Sequence, residues 1–239
     1  MLGDGALDAA FDATWPAETR DQIGGLMFCA NGGVGGDRVN ASHAIARWNE
    51  ADIDKAIAQY DALGQPPMFR AMERDVTLIA ALEARGFQSK PGAALMTIDV
   101  ELLSDVPVPD MTVLAHWPPL SIQRELWRAG GYDDARMAVM ERADGPKISL
   151  LARIDDRAAG SAFVAIEGET AMIHAIEVAP AYRRRGLAGF MLRRAAIWAD
   201  DAGAATLALA VGTENSAAIA TYNRLGFAPA GHYDYYVRP

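Results

Sequence analysis

Two hydrophobic rhythms alternate along the second half of the chain. Residues 148–153 (ISLLAR) and 160–166 (GSAFVAI) are apolar runs of strand length joined by the turn-forming IDDRAA, which predicts a hairpin. A third strand, 171–178 (AMIHAIEV), follows the EGET turn and is stopped by Pro180. From Gly186 the period lengthens: Leu187, Phe190, Met191, Ile197 and Trp198 recur at helical spacing as far as Gly203. TLALAV, 206–211, is continuously apolar, the pattern of a buried strand. Asn215 then reads as the N-cap of SAAIATYNRLG, Gly226 as its C′ glycine, and the aromatic-rich HYDYYVRP as a last strand.

A fainter version of this order precedes it. ALEARGF, 81–87, aligns with TYNRLGF, 221–227, at an offset of 140 positions. The same offset sets Asp75 under Asn215, MFRAM (68–72) on the strand before it, and the helix pattern DIDKAIAQYDALG (52–64) on the helix that ends at Gly203. SDVPVPDM, 104–111, carries two prolines and divides the halves, giving domains 1–106 and 107–239. The glycine-rich GGVGGD, 32–37, lies between strand-like LMFCAN and RVNASHAI with no helix directly after it, so it predicts a hairpin rather than a phosphate cradle.

Composition narrows the function classes. The 239 residues, 51% of them from the hydrophobic set, suffice for one large or two small cores. A net charge of −9 argues against nucleic acid and anionic membrane as partners. The single Cys29 excludes an intramolecular disulfide and a multi-cysteine zinc site, which suits a reducing compartment. The start MLGDGALDAAFDATW has no basic region followed by an apolar core, so a cytoplasmic location is expected.

The chemistry concentrates in RRRGLAG, 183–189, between the strand 171–178 and the long helix. Adjacent arginines repel and glycine is a poor helix residue, so neither choice serves the fold. A helix start offers free N–H groups and a positive dipole end, and glycine allows close approach of a ligand to the backbone. With Arg183, Arg184 and Arg185 around it, that nest suits phosphates. Neither a G-x-x-x-x-G-K-(S/T) loop nor a G-x-G-x-x-G fingerprint is present there.

The spacing Arg183-x-x-Gly186-x-Ala188, with Asn215, Tyr222 and Gly226-Phe227 in order after it, resembles the GNAT superfamily of N-acetyltransferases over roughly residues 111–239. The resemblance implies a mixed α/β (α+β) fold, here of two GNAT-like halves, each a mixed, largely antiparallel sheet flanked by helices. It implies acetyl-CoA as co-substrate, with no metal. The strand backbone at Ile176 and Val178 would pair with the pantetheine arm; Arg183, Arg184, Arg185, Gly186, Leu187, Ala188 and Gly189 would hold the pyrophosphate; and Asn215 and Ala218 would flank the acyl end. Tyr222 matches the tyrosine that protonates the departing thiolate, and Glu177 is the candidate base, with His174 and His232 as alternatives. Where the branch that acetylates protein N-termini carries a glutamate, this chain has Ala210.

The acceptor expected is a primary amine of a small molecule or peptide, attacked directly; the resemblance makes 127–145 a helical region over the acceptor site, where Trp127 and Tyr132 suit contact with an amine and core packing equally. The first half resembles the degenerate N-terminal copy of tandem members: Leu82 stands in place of Tyr222, and SHAIARW replaces the arginine-glycine loop. A catalytically silent CoA-binding module, transfer of a longer acyl group, and a homodimer all stay compatible with these residues.

Overall fold

The computed structural model describes residues 4–238; Met1 to Gly3 of the start MLGDGALDAAFDATW, and Pro239 at the end of the last predicted strand, lie outside the described residues. In chain order the elements are α1 (Asp4–Ala13), β1 (Thr19–Ile23), β2 (Leu26–Ala30), β3 (His43–Ala44), α2 (Glu50–Ala62), β4 (Met68–Met72), α3 (Val76–Ala84), β5 (Gln88–Asp99) and α4 (Glu101–Ser104). They continue as β6 (Val113–His116), α5 (Ser121–Ala129), α6 (Asp134–Arg142), β7 (Lys147–Ile154), β8 (Arg157–Glu167), β9 (Thr170–Val178), α7 (Leu187–Asp201), β10 (Thr206–Gly212), α8 (Ser216–Arg224) and β11 (Ala228–Val237). The fold is mixed α/β, as expected.

The chain forms two compact units that are discontinuous in sequence, whereas the sequence pattern divides it once, between 106 and 107. One unit comprises residues 1–15, 95–211 and 215–229; the other comprises 16–94, 212–214 and 230–239. Proline pairs in a connecting segment marked a turn, and nothing in composition tells which unit a strand joins.

In the first unit the strands lie in the order β5-β10-β9-β8-β7-β6. β6, β7, β8 and β9 pair antiparallel in succession, and β9 pairs parallel with β10. Phe163 and Ser161 of β8 point to one face, where Trp15, just after α1, meets Phe163 at 6.3 Å and Gln123 of α5 reaches Ser161 at 3.4 Å. α7 covers the opposite face. Its buried stripe is Leu187, Met191, Leu192, Ala195, Ala196 and Ala199, while Ile197 and Trp198 are only half-buried. Alanines at the contact let the helix lie close to the strands, and the bulky residues flank it.

The second unit contains the sheet β4-β11-β5 and the small antiparallel sheet β1-β2-β3. Its core is a chain of rings, Phe28 to Tyr60 at 4.6 Å, Tyr60 to Phe69 at 6.4 Å and Phe69 to Phe87 at 5.3 Å. The buried Tyr60 hydroxyl donates to the Cys29 carbonyl at 2.8 Å and accepts from the Ser42 N–H at 3.0 Å. The glycine-rich segment connects the antiparallel pair β2 and β3, with a 3-10 turn at Asp37–Asn40 inside the connection. Asn40 organises that loop: its Oδ1 accepts from the N–H groups of Asn31 and Gly33, and its Nδ2 donates to the carbonyls of Val34 and Gly36.

The 140-residue offset reappears in the elements. α3 runs 76–84 and α8 runs 216–224, and the helices end alike. The Phe87 N–H donates to the Leu82 carbonyl and the Phe227 N–H to the Tyr222 carbonyl, each at 3.1 Å, over Gly86 and Gly226 at φ 82° and 95°. Among the described residues, no helix is long and apolar enough to cross a membrane.

Candidate functional site

The site belongs to the first unit and begins with an irregular strand. Along β8 and β9 the register pairs Phe163 with His174 and Ser161 with Glu177, so two residues of β9, Ala175 and Ile176, oppose Ala162 alone. This is a bulge, and Ala175 sits in it with φ 51°. Strict alternation would send His174 and Glu177 to opposite faces. The extra residue brings both to the face that carries α1 and α5.

His174 is thereby packed away. It is 7% exposed, its Nε2 lies 2.9 Å from the Thr14 hydroxyl, and its ring lies 5.1 Å from Trp15 and 6.1 Å from Phe163. The other alternative base, His232, pairs through Nδ1 with Glu73 at 2.6 Å in the second unit. Glu177 remains half-buried at the end of β9.

α5 fixes what stands over Glu177. The buried Gln123 accepts from the Leu120 N–H at 2.9 Å and lies 2.5 Å from His116 Nε2, tying the start of the helix to β6. The fully buried Trp127 donates its indole N–H to the Ala175 carbonyl at 2.8 Å, which satisfies an acceptor that the bulge releases from the ladder. One turn on, Gly130 presses on the carboxylate: a Cβ there would fall 2.6 Å from Glu177 Cδ. Tyr132 follows. Burial pushes its hydroxyl pKa up, the Glu177 charge adds to that, and Arg136, over its ring at 5.2 Å, opposes it.

Tyr222, on α8, completes the cluster. It is 8% exposed, and burial, aided by the neighbouring Tyr132, pushes its pKa up to about 12. Asn215 is the N-cap expected from the sequence, its side chain accepting from the Ala218 N–H at 3.1 Å. Tyr132 thus sits electrostatically between the candidate acid and the candidate base. Sequence reasoning left it divided between core and acceptor contact, and it missed Gly130. The Gly-Gly pair in WRAGGYDD carries no mark of what the backbone there touches.

The donor side fits the backbone nest. Pairing between β9 and β10 runs from Thr170 and Thr206 to Ile173 and Leu209, although β9 continues to Val178. The strand end at Ile176 therefore lies beyond the last residue that pairs with β10. Gly186 is exposed at φ 83° as the N-cap of α7, and the nearest neighbour of a Cβ there would be the Phe190 ring at 3.7 Å. The first N–H groups of α7, from Leu187, Ala188 and Gly189, lack intrahelical partners as in any helix. The arginines point three ways. Arg183 donates to the Val178 carbonyl at 2.9 Å and to Glu177 at 3.1 Å, Arg185 pairs with Asp155 at 3.0 Å, and Arg184, at φ 61°, makes no ion pair among the described residues. Arg184 and the α7 N–H groups are the residues here that could hold the phosphates of a ligand. Among the described residues, no group of three or more His, Cys, Asp or Glu side chains is gathered to hold a metal ion.

A parallel strand pair whose pairing stops before β9 ends, a bulge, and an arginine-glycine helix start meet at this site. Residues 114–227, just under half of the chain, match the Acetyltransferase (GNAT) family. A streptothricin acetyltransferase of Streptomyces lavendulae is 36% identical over 104 residues, 43% of this chain and 54% of that protein, so the chain spans about half the length of this curated relative. Among solved structures, a GCN5-related N-acetyltransferase from Kribbella flavida superposes with a TM-score of 0.74 at 16% identity, covering 99% of this chain and 95% of that one. A tandem GNAT protein from the clavulanic acid biosynthesis pathway gives 0.60 at 13% identity, covering 82% and 74%. At these identities the two structures share the fold.

Proposed function

We propose that this protein transfers an acetyl group from acetyl-CoA to a primary amine of a small molecule or peptide by direct attack. The observation that carries the reading is the left-handed Gly186 opening α7 at the end of a strand whose edge is freed from β10. Acetyl-CoA, when bound, supplies an activated acyl thioester. The chain's own residues supply the rest: the α7 N–H groups and Arg184 hold phosphate, Glu177 accepts the proton of the amine, and Tyr222 holds the proton that the departing thiolate takes. Burial keeps the proton on Tyr222 at neutral pH, the protonation state the acid role requires.

The similarity to a streptothricin acetyltransferase makes streptothricin the first acceptor to try. Calorimetric titration with CoA and acetyl-CoA, beside an Arg184→Ala, Gly186→Glu double variant, tests the donor site. Thiol release with streptothricin and an amine panel tests the transfer. Micromolar donor binding lost in the variant, with turnover of at least one amine, is the expected result. Binding without turnover of any amine would leave a CoA-binding module, and no binding would end the reading.

A further inference from the structure

The first arginine of the loop serves the strand rather than the nest. Arg183 Nε donates to the Val178 carbonyl at 2.9 Å, and its terminal nitrogen reaches Glu177 Oε1 at 3.1 Å. Only a planar fork can make both contacts at once, since an ammonium offers a single point charge. The Glu177 side chain is 16% exposed, and its other oxygen lies against the turn after α5: a Cβ on Gly130 would fall 2.7 Å from Oε2. The guanidinium therefore occupies Oε1, while Oε2 faces Gly130, where the missing Cβ leaves room.

We infer that Arg183 is a positioning residue for Glu177, that Oε2 is the oxygen left to take the amine's proton, and that the donor phosphates fall to Arg184 and the α7 N–H groups. This rests on the reading of Glu177 as proton acceptor. The division follows from where the guanidinium groups go. Arg183 is turned back along β9, Arg185 is held at the β7–β8 turn by Asp155, and Arg184 alone of the three makes no ion pair among the described residues. An acceptor amine then approaches Glu177 beside Gly130 and Tyr132, on the side away from Arg183.

The test compares Arg183→Met, Arg183→Lys, Arg184→Met and Glu177→Gln, together with the Arg183→Met, Glu177→Gln double variant, in the full chain. CoA affinity by calorimetry should change by less than about threefold in Arg183→Met and weaken about tenfold or more in Arg184→Met, the size of a lost charge-assisted hydrogen bond. The acetyl-transfer kcat should fall roughly ten- to a hundredfold in Arg183→Met, with little recovery in Arg183→Lys, because a point charge does not restore the fork. In the Glu177→Gln background, Arg183→Met should cost nothing further in kcat. The inference is overturned if Arg183→Met weakens CoA as much as Arg184→Met does, or if its kcat loss multiplies with that of Glu177→Gln. Wild-type protein that binds no CoA would end the donor reading instead. The Arg183–Glu177 clamp would then be judged by melting midpoints: non-additive shifts in the double variant uphold it, and additive shifts overturn it.

Discussion

Trp127 on α5 and Ala175 in β9 are joined by an indole N–H to carbonyl hydrogen bond of 2.8 Å, made at the residue where the strand bulges. The bond ties the helix that covers Glu177 to the irregularity that aims Glu177. Trp127→Phe keeps most of the ring's apolar volume and leaves a part-buried carbonyl without its donor, which costs about 1–3 kcal/mol. Urea unfolding should register that loss. A larger fall in acetyl-transfer rate than in donor affinity should accompany it, because the bond sets Glu177, the proposed proton acceptor, and not the proposed phosphate nest.

Gly130 separates function from stability. Its φ is −83°, a conformation alanine adopts freely, so Gly130→Ala adds no backbone strain, and its stability loss is that of the part-exposed Arg183–Glu177 pair, about 0–1 kcal/mol. The added methyl would lie 2.6 Å from Glu177 Cδ, and the carboxylate must leave Arg183 to clear it. The expected outcome is a kcat reduced about tenfold or more at unaltered CoA affinity, in the range of general-base contributions. Steady-state kinetics beside calorimetry checks both halves.

His174 gives the opposite pattern. Its imidazole is enclosed by Trp15 and Phe163 and bonded to Thr14, so it anchors α1 on the sheet. Thr14→Val removes that partner from a buried polar atom and should destabilise the protein by about 1–3 kcal/mol. The rate per folded molecule should stay at the wild-type value. A change in its pH profile would return His174 to the list of candidate bases.

The sequence made much of this legible and withheld the decisive turns. Gly186, Asn215 and Gly226 were readable because each needs a backbone conformation or a cap that few residues supply, and all three occupy those positions. The strands 148–153, 160–166 and 171–178 were readable from their apolar runs. The bulge was not: Ala175 carries no marker for φ 51°, and simple alternation would part His174 from Glu177. The destinations of Arg183 and Arg185 were hidden for a related reason. Charge type predicts an anion partner, and the carboxylates of Glu177 and Asp155 compete with a ligand's phosphate for that role. The discontinuous units follow from strand pairing at long range, which local pattern does not encode.

Tyr222 links the proposed chemistry to alkaline stability. In the unfolded chain a tyrosine titrates near 10, whereas burial pushes Tyr222 up to about 12. The folded state thus keeps a proton that the unfolded state releases first. The stabilisation is complete below about pH 10 and is lost as pH rises through about 12, a total of about 2–3 kcal/mol. Tyr222→Phe should remove that portion of the alkaline stability loss, read as the difference between variant and wild-type unfolding curves from pH 9 to 12. The same variant should lower kcat about a hundredfold or more, as expected for a lost general acid.

Gly186 distinguishes strain from blockage. At φ 83° an alanine pays about 1–2 kcal/mol for the left-handed backbone, and its Cβ meets only the Phe190 ring at 3.7 Å, an ordinary contact. Gly186→Ala should therefore lower stability by about that amount while placing a methyl where a phosphate would approach. Gly186→Glu carries the same strain but sets a negative charge at the positive end of α7, which offsets part of the cost by about 0.3–1 kcal/mol. The glutamate should accordingly be no less stable than the alanine, yet bind CoA far more weakly, because its carboxylate takes the place of the phosphate. Thermal unfolding and CoA titration of the two variants should rank in opposite orders, and a shared ranking would mean that the loop loses its ligand through misfolding rather than through competition for the helix start.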